Sequence, residues 1–197
     1  MKRDQVKELL LQSLEHERGG VKVYETALQC VLNYELKAEF EKYLEQTRNH
    51  ERVLLHVFAK LGWDAEEASP GRTVVKLIGG ALVDAMRTAL KAGKRQAAEL
   101  AATECVVLAK TKDHADWELI KKCAEHASGP VKQVLEEAAE EVEDQEDQHL
   151  YHSKGWSREL WLQSLGLKAM LPPPEERQHV KTAIGAARAE QASENSR

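Results

Sequence analysis

The segment from Glu140 to His149 reads EEVEDQEDQH, and its last four residues place a glutamate and a histidine one helical turn apart. Glu146 and His149 continue a stripe of apolar residues at steps of three and four, formed by Val131, Leu135, Ala138 and Val142. Residues with this spacing lie on one face of a helix. Because charged side chains rarely occupy an apolar stripe unless something pairs with them, the segment predicts a polar site inside a helical protein.

The same combination of glutamate and histidine occurs in both halves of the chain. In the first half, Glu17 lies in the stripe of the first predicted helix and His50 in that of the second. In the second half, Glu104 lies in the stripe of the third, followed by Glu146 and His149 in the fourth. Carboxylates and imidazoles that converge inside four helices are typical of di-iron and di-manganese sites. The pattern therefore predicts that these five residues are metal ligands.

The periodicity predicts four helices in all. Their predicted ranges are 4–33, 35–61, 73–110 and 115–152. Short turns are expected at 33–35 and at 111–114, where Asp113 is a candidate N-cap, and a longer crossover loop is expected at 63–72. Two antiparallel hairpins follow from this arrangement, so residues 1–153 are expected to form an all-α, antiparallel four-helix bundle.

Glycines mark where these helices are expected to bend, end or approach one another. Gly62 is expected to end the second helix as a C-cap residue. Gly79-Gly80 and Gly93 predict a bend in the third helix, and Gly19-Gly20 permits a close approach to the first. The fourth helix is expected to be interrupted at 128–130, where a proline can restart a helix in its first turn.

The composition agrees with a helical globular protein. Hydrophobic residues make up 42% of the chain and charged residues 31%, with a formal net charge of -5 that gives no reason to expect nucleic-acid binding. The first residues do not resemble a signal peptide, and no apolar run is long enough to span a membrane. Cys30, Cys105 and Cys123 have no paired spacing, so we expect reduced, buried thiols in a cytoplasmic protein.

One motif of the predicted site is incomplete. A di-metal bundle takes a glutamate from each of two helices and a Glu-x-x-His pair from each of the other two. Glu146 and His149 form such a pair, but the matching span before His50 begins with Thr47 instead of a glutamate. The predicted set is therefore three carboxylates and two histidines. A single metal ion, an asymmetric pair and an empty site all remain open.

Each candidate ligand also has a simpler interpretation. Glu17 alone in a stripe is compatible with a position at the rim of the bundle. His50 and His149 are compatible with core histidines that bond a tyrosine or a glutamate. Glu104 lies in an apolar stretch and is expected to be buried, which would require a partner. Only the occurrence of all these residues in the appropriate helices favours a metal site.

Two segments of the chain are similar to a known superfamily. One reads YLEQTRNHERVL from Tyr43 to Leu54, followed by VFAKLG, and the other is the second hairpin with Glu104 and the Glu146–His149 pair. On these segments, which lie within residues 4–152, the chain resembles the ferritin-like superfamily, in particular the small stress-associated ferritin-like proteins of bacteria. The resemblance implies a ferritin-like four-helix bundle that binds iron or manganese. Since members include iron stores, rubrerythrin-like peroxide reductases, manganese catalases and proteins with no assigned activity, it implies redox or peroxide chemistry without identifying a reaction.

Residues 154–197 lie outside this resemblance and are expected to form a C-terminal helical extension. Its tryptophans, Trp156 and Trp161, predict either a strap that packs on the bundle or a surface that docks a partner or a second subunit. Residues 191–197 are expected to be disordered.

We expect the protein to form a homo-oligomer, namely a dimer. The alternative function, from another class, is a non-catalytic helical stress or interaction protein whose metal site is degenerate or empty, so whether the chain is an enzyme stays open.

Overall fold

Five packed α-helices make up the described part of the protein. The computed structural model describes residues 1–172 and 174–175, and no strand occurs among them. The helices are α1 (Arg3–Cys30), α2 (Tyr34–Leu61), α3 (Pro70–Lys91), α4 (Arg95–His126) and α5 (Gly129–Ser164). α1 packs on α2, α3 and α4, α5 packs on α4 and α2, and α3 also contacts α4. The prediction of an all-α protein is confirmed.

The first two helices have nearly the predicted limits, because local side-chain and backbone groups define their ends. Asn33 caps α2, since its side-chain oxygen accepts from the backbone N–H groups of Glu35 and Leu36. At the other end, Gly62 adopts φ 66°, the left-handed conformation that commonly follows a helix. The predicted turn near Asn33 and the predicted C-cap at Gly62 are both confirmed.

The predicted third helix over 73–110 is wrong, because α3 and α4 divide this stretch between them. Gly93 adopts φ 78° just after α3, and the chain restarts as α4 at Arg95. The predicted turn at 111–114 is also wrong, since these residues lie in the middle of α4. Asp113 does not cap a helix. Its side chain is fully buried and accepts a hydrogen bond from Lys110, so its polarity reflects a buried interaction and not a turn.

α5 is longer than predicted. It begins at the predicted interruption, with Gly129 at φ 61°, and continues past the predicted end at His152 to Ser164. Trp156 is buried in the apolar core, whereas Trp161 is partly exposed. The predicted disordered end at 191–197 lies outside the described residues.

The apolar core is divided into two clusters along the helices. One cluster includes Tyr24 of α1, Phe40 and Tyr43 of α2, Met86 of α3 and Trp156 of α5. The other includes apolar side chains from α1, α2, α4 and α5, among them Leu10, Leu14, Leu54, Phe58, Trp117, Ile120, Leu135 and Val142. Between the two clusters, each of these four helices buries polar side chains, and this layer holds the candidate site.

The hydropathy of the helices agrees with expectation, and the expectation of buried thiols holds for two of the three cysteines. Cys30, Cys105 and Cys123 are all free thiols, the first two buried and Cys123 partly exposed. Within the described ranges, none of the helices combines the length and the apolar character that a membrane span requires.

The two adjacent glycines of α1 face different neighbours. A Cβ atom added at Gly79 of α3 would lie 3.7 Å from the Cα of Gly19, so α1 and α3 cross closely at this point. A Cβ atom added at Gly20 would lie 3.2 Å from Cγ2 of Thr47, so α1 and α2 are close at the level of the candidate site. The expectation that these glycines permit close helix approach is confirmed.

The Gly19–Gly79 crossing can be tested by a large side chain. We expect Gly79→Leu to lower the free energy of unfolding by about 1–3 kcal/mol, because the side chain must push α3 away from α1. The matched control is Gly80→Leu, where a Cβ meets nothing within 4 Å. This control is expected to be neutral or slightly stabilising, since glycine weakens a helix. Urea unfolding of both variants measures this difference. An equal loss of unfolding free energy in both would contradict a close contact at Gly79.

Candidate metal centre

Four of the five sequence-predicted ligands lie together in the buried polar layer. Glu17 comes from α1, His50 from α2, and Glu146 and His149 from α5, and each is at most 1% exposed. The spacing of three residues between Glu146 and His149 places both on the same face of α5. The structure therefore brings these four side chains together, and their role as ligands stays a prediction.

The carboxylate of Glu146 is the centre of this group. Its Oε1 lies 2.9 Å from Nδ1 of His50 and 3.3 Å from Nδ1 of His149. Nδ1 of His50 lies 3.6 Å from Oε1 of Glu17. The two imidazole rings are stacked, with centroids 5.5 Å apart. Nitrogen and oxygen atoms from three helices thus converge within the space that one cation would occupy.

Two glutamines orient the histidine rings. Nε2 of His50 lies 3.0 Å from Oε1 of Gln145, and Nε2 of His149 lies 2.9 Å from Oε1 of Gln46. Gln145 is itself oriented, because its amide nitrogen donates to the backbone oxygen of Glu141. Since an amide oxygen only accepts, each Nε2 carries a proton, and each ring turns its Nδ1 toward Glu146. Outer hydrogen bonds of this kind set the tautomer of metal-binding histidines.

Glu104 does not join the group, and the expectation that it is buried is wrong. It lies on the exposed side of α4, where its Oε1 accepts a hydrogen bond of 2.9 Å from Nε1 of Trp161. The buried face of α4 is instead formed largely by small residues such as Ala102 and Ala109, while Leu108 is exposed. An assignment based on large apolar residues therefore selects the wrong face of this helix.

α4 contributes two charged residues to the site that sequence reasoning missed. Lys110 and Asp113 are at most 1% exposed. The ammonium of Lys110 donates to Oδ2 of Asp113 at 2.5 Å and to Oε1 of Glu146 at 2.9 Å. Trp117, one turn farther along, donates from Nε1 to Oε1 of Glu17 at 2.9 Å. The steps of three and four from Lys110 through Asp113 to Trp117 were the available signal.

The buried side chains form two groups with the donor types and separations of a metal site. The possible ligand atoms of His50, Glu146 and His149 all lie within 4.8 Å of one another, and so do those of Glu17, Asp113 and Glu146. Glu146 belongs to both groups. Two donor sets that share a carboxylate could hold two neighbouring cations.

Several atoms of these groups have no hydrogen-bond partner among the described residues. They are Oε2 of Glu17, Nδ1 of His50, Oδ1 of Asp113, Oε2 of Glu146 and Nδ1 of His149. Most buried polar atoms in proteins are hydrogen-bonded, and each exception calls for an explanation. Five such atoms at one level of the core belong to groups that could hold a cation.

The two interior glutamates have opposite electrostatic environments. Burial, followed by the nearby charge of Asp113, raises the pKa of Glu17 to about 7. Burial also acts to raise the pKa of Glu146, but the charge of the Lys110 ammonium and the contacts with the two histidines outweigh it and hold that pKa well below its usual value. Glu146 is therefore a permanent anion at neutral pH, whereas Glu17 is near its titration point.

The two histidines also differ. Burial acts to lower the pKa of His50, but the carboxylates of Glu17 and Glu146 outweigh it and raise the pKa to about 10. Burial, followed by the charge of Lys110, lowers the pKa of His149 to about 3. Without a metal ion, His50 is thus protonated and His149 is neutral at pH 7. Any cation that binds Nδ1 of His50 must first displace a proton.

A second polar group lies beside His149, and sequence reasoning missed it. The ring of Tyr43 packs against that of His149, with centroids 4.2 Å apart. Oε1 of Glu39 lies 2.6 Å from the hydroxyl of Tyr43 and 2.6 Å from Nδ1 of His152. Nε1 of Trp156 donates to the other oxygen of Glu39. These contacts fix Tyr43 against His149 and hold that face of the imidazole away from water.

A surface groove runs between α2 and α5 near the candidate site. It has a volume of about 300 Å³ and is lined by eight residues, among them His56, Val57, Glu137 and Glu141. At its edge, Asn49 donates a hydrogen bond to Glu141. Because Asn49 adjoins His50 on α2, this groove lies close to the site on its α2–α5 side.

Comparison of the chain with models of known protein families, with curated proteins and with solved structures found no match. The geometry of the buried groups therefore carries the functional argument.

The protonation of His50 predicts how stability depends on pH without a metal. A histidine whose pKa is raised from 6.5 to about 10 stabilises the fold fully below pH 6.5, and this contribution is lost as the pH rises toward 10. The lowered pKa of His149 changes the stability of the fold only below about pH 6.5, so it does not oppose the loss of stability expected above pH 7. We expect the free energy of unfolding in chelator to fall by about 1–2 kcal/mol between pH 7 and pH 9, measured by urea titration.

Two variants identify the group responsible. His50→Gln removes the titrating imidazole and is expected to flatten the dependence between pH 7 and pH 9. His56→Gln, which replaces an exposed histidine on the same helix, should keep it. A slope that persists in His50→Gln would show that another group causes it.

Proposed function

We propose that this chain is a ferritin-like, metal-binding protein that holds iron or manganese between its helices. The proposed ligands are His50 and His149 through Nδ1 and Glu146 and Glu17 through their carboxylates. The observation that carries the proposal is the orientation of both histidines, since each donates its Nε2 proton to a glutamine oxygen and turns its Nδ1 toward Glu146. A cation could replace the Nδ1 proton of His50 and accept the Nδ1 lone pair of His149, since both atoms face the same carboxylate.

The packing of the helices supports the ferritin-like part of this proposal. α1 contacts α2, α2 contacts α5, α5 contacts α4, and α4 contacts α1, which closes a ring of four helices around the buried groups. α3 packs outside this ring on α1 and α4, and it connects the two hairpins. Ligands projecting inward from a four-helix ring are the arrangement used by ferritin-like carboxylate proteins.

The donor set favours particular metals. Two imidazoles with carboxylates suit first-row ions such as iron and manganese, and the same donors also accept zinc. No thiol takes part, since Cys30, Cys105 and Cys123 lie outside both donor groups. Iron or manganese therefore leads the proposal, and zinc serves as a competitor in the experiment.

The surrounding residues define what the site does chemically. A bound iron or manganese ion would supply redox or peroxide chemistry. The chain itself positions the donors: Trp117 holds Glu17, Gln145 holds His50, and Gln46 holds His149. The near-complete burial of the donors excludes bulk water and limits what reaches the centre to small molecules.

One observation favours a second function, a metal-free helical stress or interaction protein. Lys110 already pairs with Asp113 and Glu146, so part of the buried charge is balanced within the chain. A protonated His50 would pair with Glu17 and Glu146 in the same manner. In that case the layer would be a polar core network that specifies helix packing.

Metal analysis distinguishes the two functions. We expect protein from cells supplied with iron and manganese to carry stoichiometric metal, measured by elemental analysis and by competition among iron, manganese and zinc. His149→Ala and Glu146→Ala should reduce the bound metal at least tenfold, because each removes a ligand. Glu104→Ala, which removes an exposed glutamate of α4, is the matched control and should retain the parent content. Parent protein without metal, unable to take it up from added salts, would favour the metal-free network.

The glutamines provide a test that leaves the ligands intact. Gln46→Leu and Gln145→Leu remove the acceptors that orient His149 and His50. We expect each to weaken metal binding by about 10–100-fold, because the rings lose their fixed tautomer and orientation. Gln133→Leu, on the exposed face of α5, should leave the affinity unchanged. Affinities that do not differ among the three variants would argue against Nδ1 ligation.

A further inference from the structure

The least expected side chain in the core is that of Lys110. It is 1% exposed and approaches the ring of Tyr24, with the ammonium 5.6 Å from the ring centroid. Lysines are rarely buried unless they are paired, because removing an ammonium from water is costly. Its two acidic partners are Asp113 and Glu146. They are two of the three members of the all-carboxylate donor group, whose third member is Glu17.

The ammonium therefore contacts the oxygens that a cation in this second group would use. The ammonium contacts Glu146, which also belongs to the histidine group. A second cation bridged to the first by Glu146 would make the same contact. The ammonium carries one positive charge and binds through hydrogen bonds of 2.5 and 2.9 Å, close to the contacts that a hydrated cation would make. Lys110 thus provides a covalently attached cation on one side of Glu146.

The charge balance of the buried polar layer also indicates that Lys110 takes the place of one cation. When both histidines are neutral ligands and Glu17 is ionised, Glu17, Asp113 and Glu146 contribute three negative charges and Lys110 one positive charge. The remainder, two negative charges, is balanced by one divalent ion. A second divalent ion beside Lys110 would leave an uncompensated positive charge in a dry interior, which is strongly unfavourable. Thr47 adds no charge, although its position in the motif would otherwise supply a fourth carboxylate.

We propose that the ammonium of Lys110 occupies one of two cation positions in this site, so that the protein holds a single divalent ion at His50, Glu146 and His149. This inference rests on the proposed metal-binding function and specifies its stoichiometry. Its direct consequence is that removal of the ammonium opens the carboxylate group of Glu17, Asp113 and Glu146 to a second ion.

The experiment titrates the metal-free, full-length protein with manganese(II) and follows it by equilibrium dialysis and electron paramagnetic resonance. The parent should bind one ion per chain and show the resolved hyperfine lines of an isolated manganese(II). Lys110→Ala should bind two, with the broadened signal of ions coupled through a shared carboxylate. The matched control is Lys121→Ala, which breaks the exposed Lys121–Glu143 pair between the same two helices and should still bind one ion.

The outcomes separate this inference from the proposed function. One ion in both the parent and Lys110→Ala would overturn the role of Lys110 and leave the metal site standing. Two ions in the parent would overturn it as well. No ion in either protein would overturn the proposed function itself.

Lys110→Ala removes a buried charge and can impair folding, so the folding of this variant is measured as well. If Lys110→Ala is unfolded in chelator, manganese should restore the helical circular dichroism, because the second ion replaces the ammonium. Failure to refold with excess manganese would overturn the inference. The double variant Lys110→Ala with Asp113→Asn removes one charge of each sign and should fold and bind one ion. Two ions in that variant would show that the second position does not use Asp113.

Discussion

The described structure depends on how charge is balanced around the carboxylate of Glu146. Its Oε1 accepts a hydrogen bond from Lys110 of α4 and lies within 3.3 Å of Nδ1 of both His50 and His149. Glu17 of α1 joins through His50, so side chains of four helices meet at one anion. Taking such charges out of water is unfavourable unless each has partners in good geometry. The relative positions of α1, α2, α4 and α5 are therefore coupled to this one group, and apolar packing above and below it forms two clusters instead of one.

Sequence reasoning succeeded where large apolar residues and polar site residues share one regular stripe. In α1, α2 and α5 the steps of three and four placed Glu17, His50, Glu146 and His149 on inward faces, and the structure brings them together. The ends of these helices also followed from local chemistry, as at Gly62. That the four side chains bind a metal stays a prediction, since position alone does not establish ligation.

The same reasoning failed in α4, for a physical reason. This helix packs through alanines, so its buried face carries few large apolar residues, while Leu108 and Leu119 point outward. A polar run around Asp113 was then taken for a turn, although Lys110 and Asp113 satisfy each other inside the core. Periodicity measures apolar character and does not show that Lys110 is buried, because the contact of Lys110 with Glu146 comes from α5, which is distant in sequence. Gly93 predicts only a bend within one long helix, whereas in the structure α3 ends just before it and α4 begins just after it.

The depth of the site also affects how quickly an ion would be exchanged. Each proposed donor is at most 1% exposed, and none of them lines the groove between α2 and α5. If an ion binds as proposed, it can enter or leave only when these helices separate locally, and this opening must also break metal–ligand bonds, because the donors belong to different helices. Exchange would then be slow for every ion, and slower for a tightly held ion than for a weakly held one. Slow exchange of this kind would suit a site that retains its ion and not one that buffers a fluctuating pool.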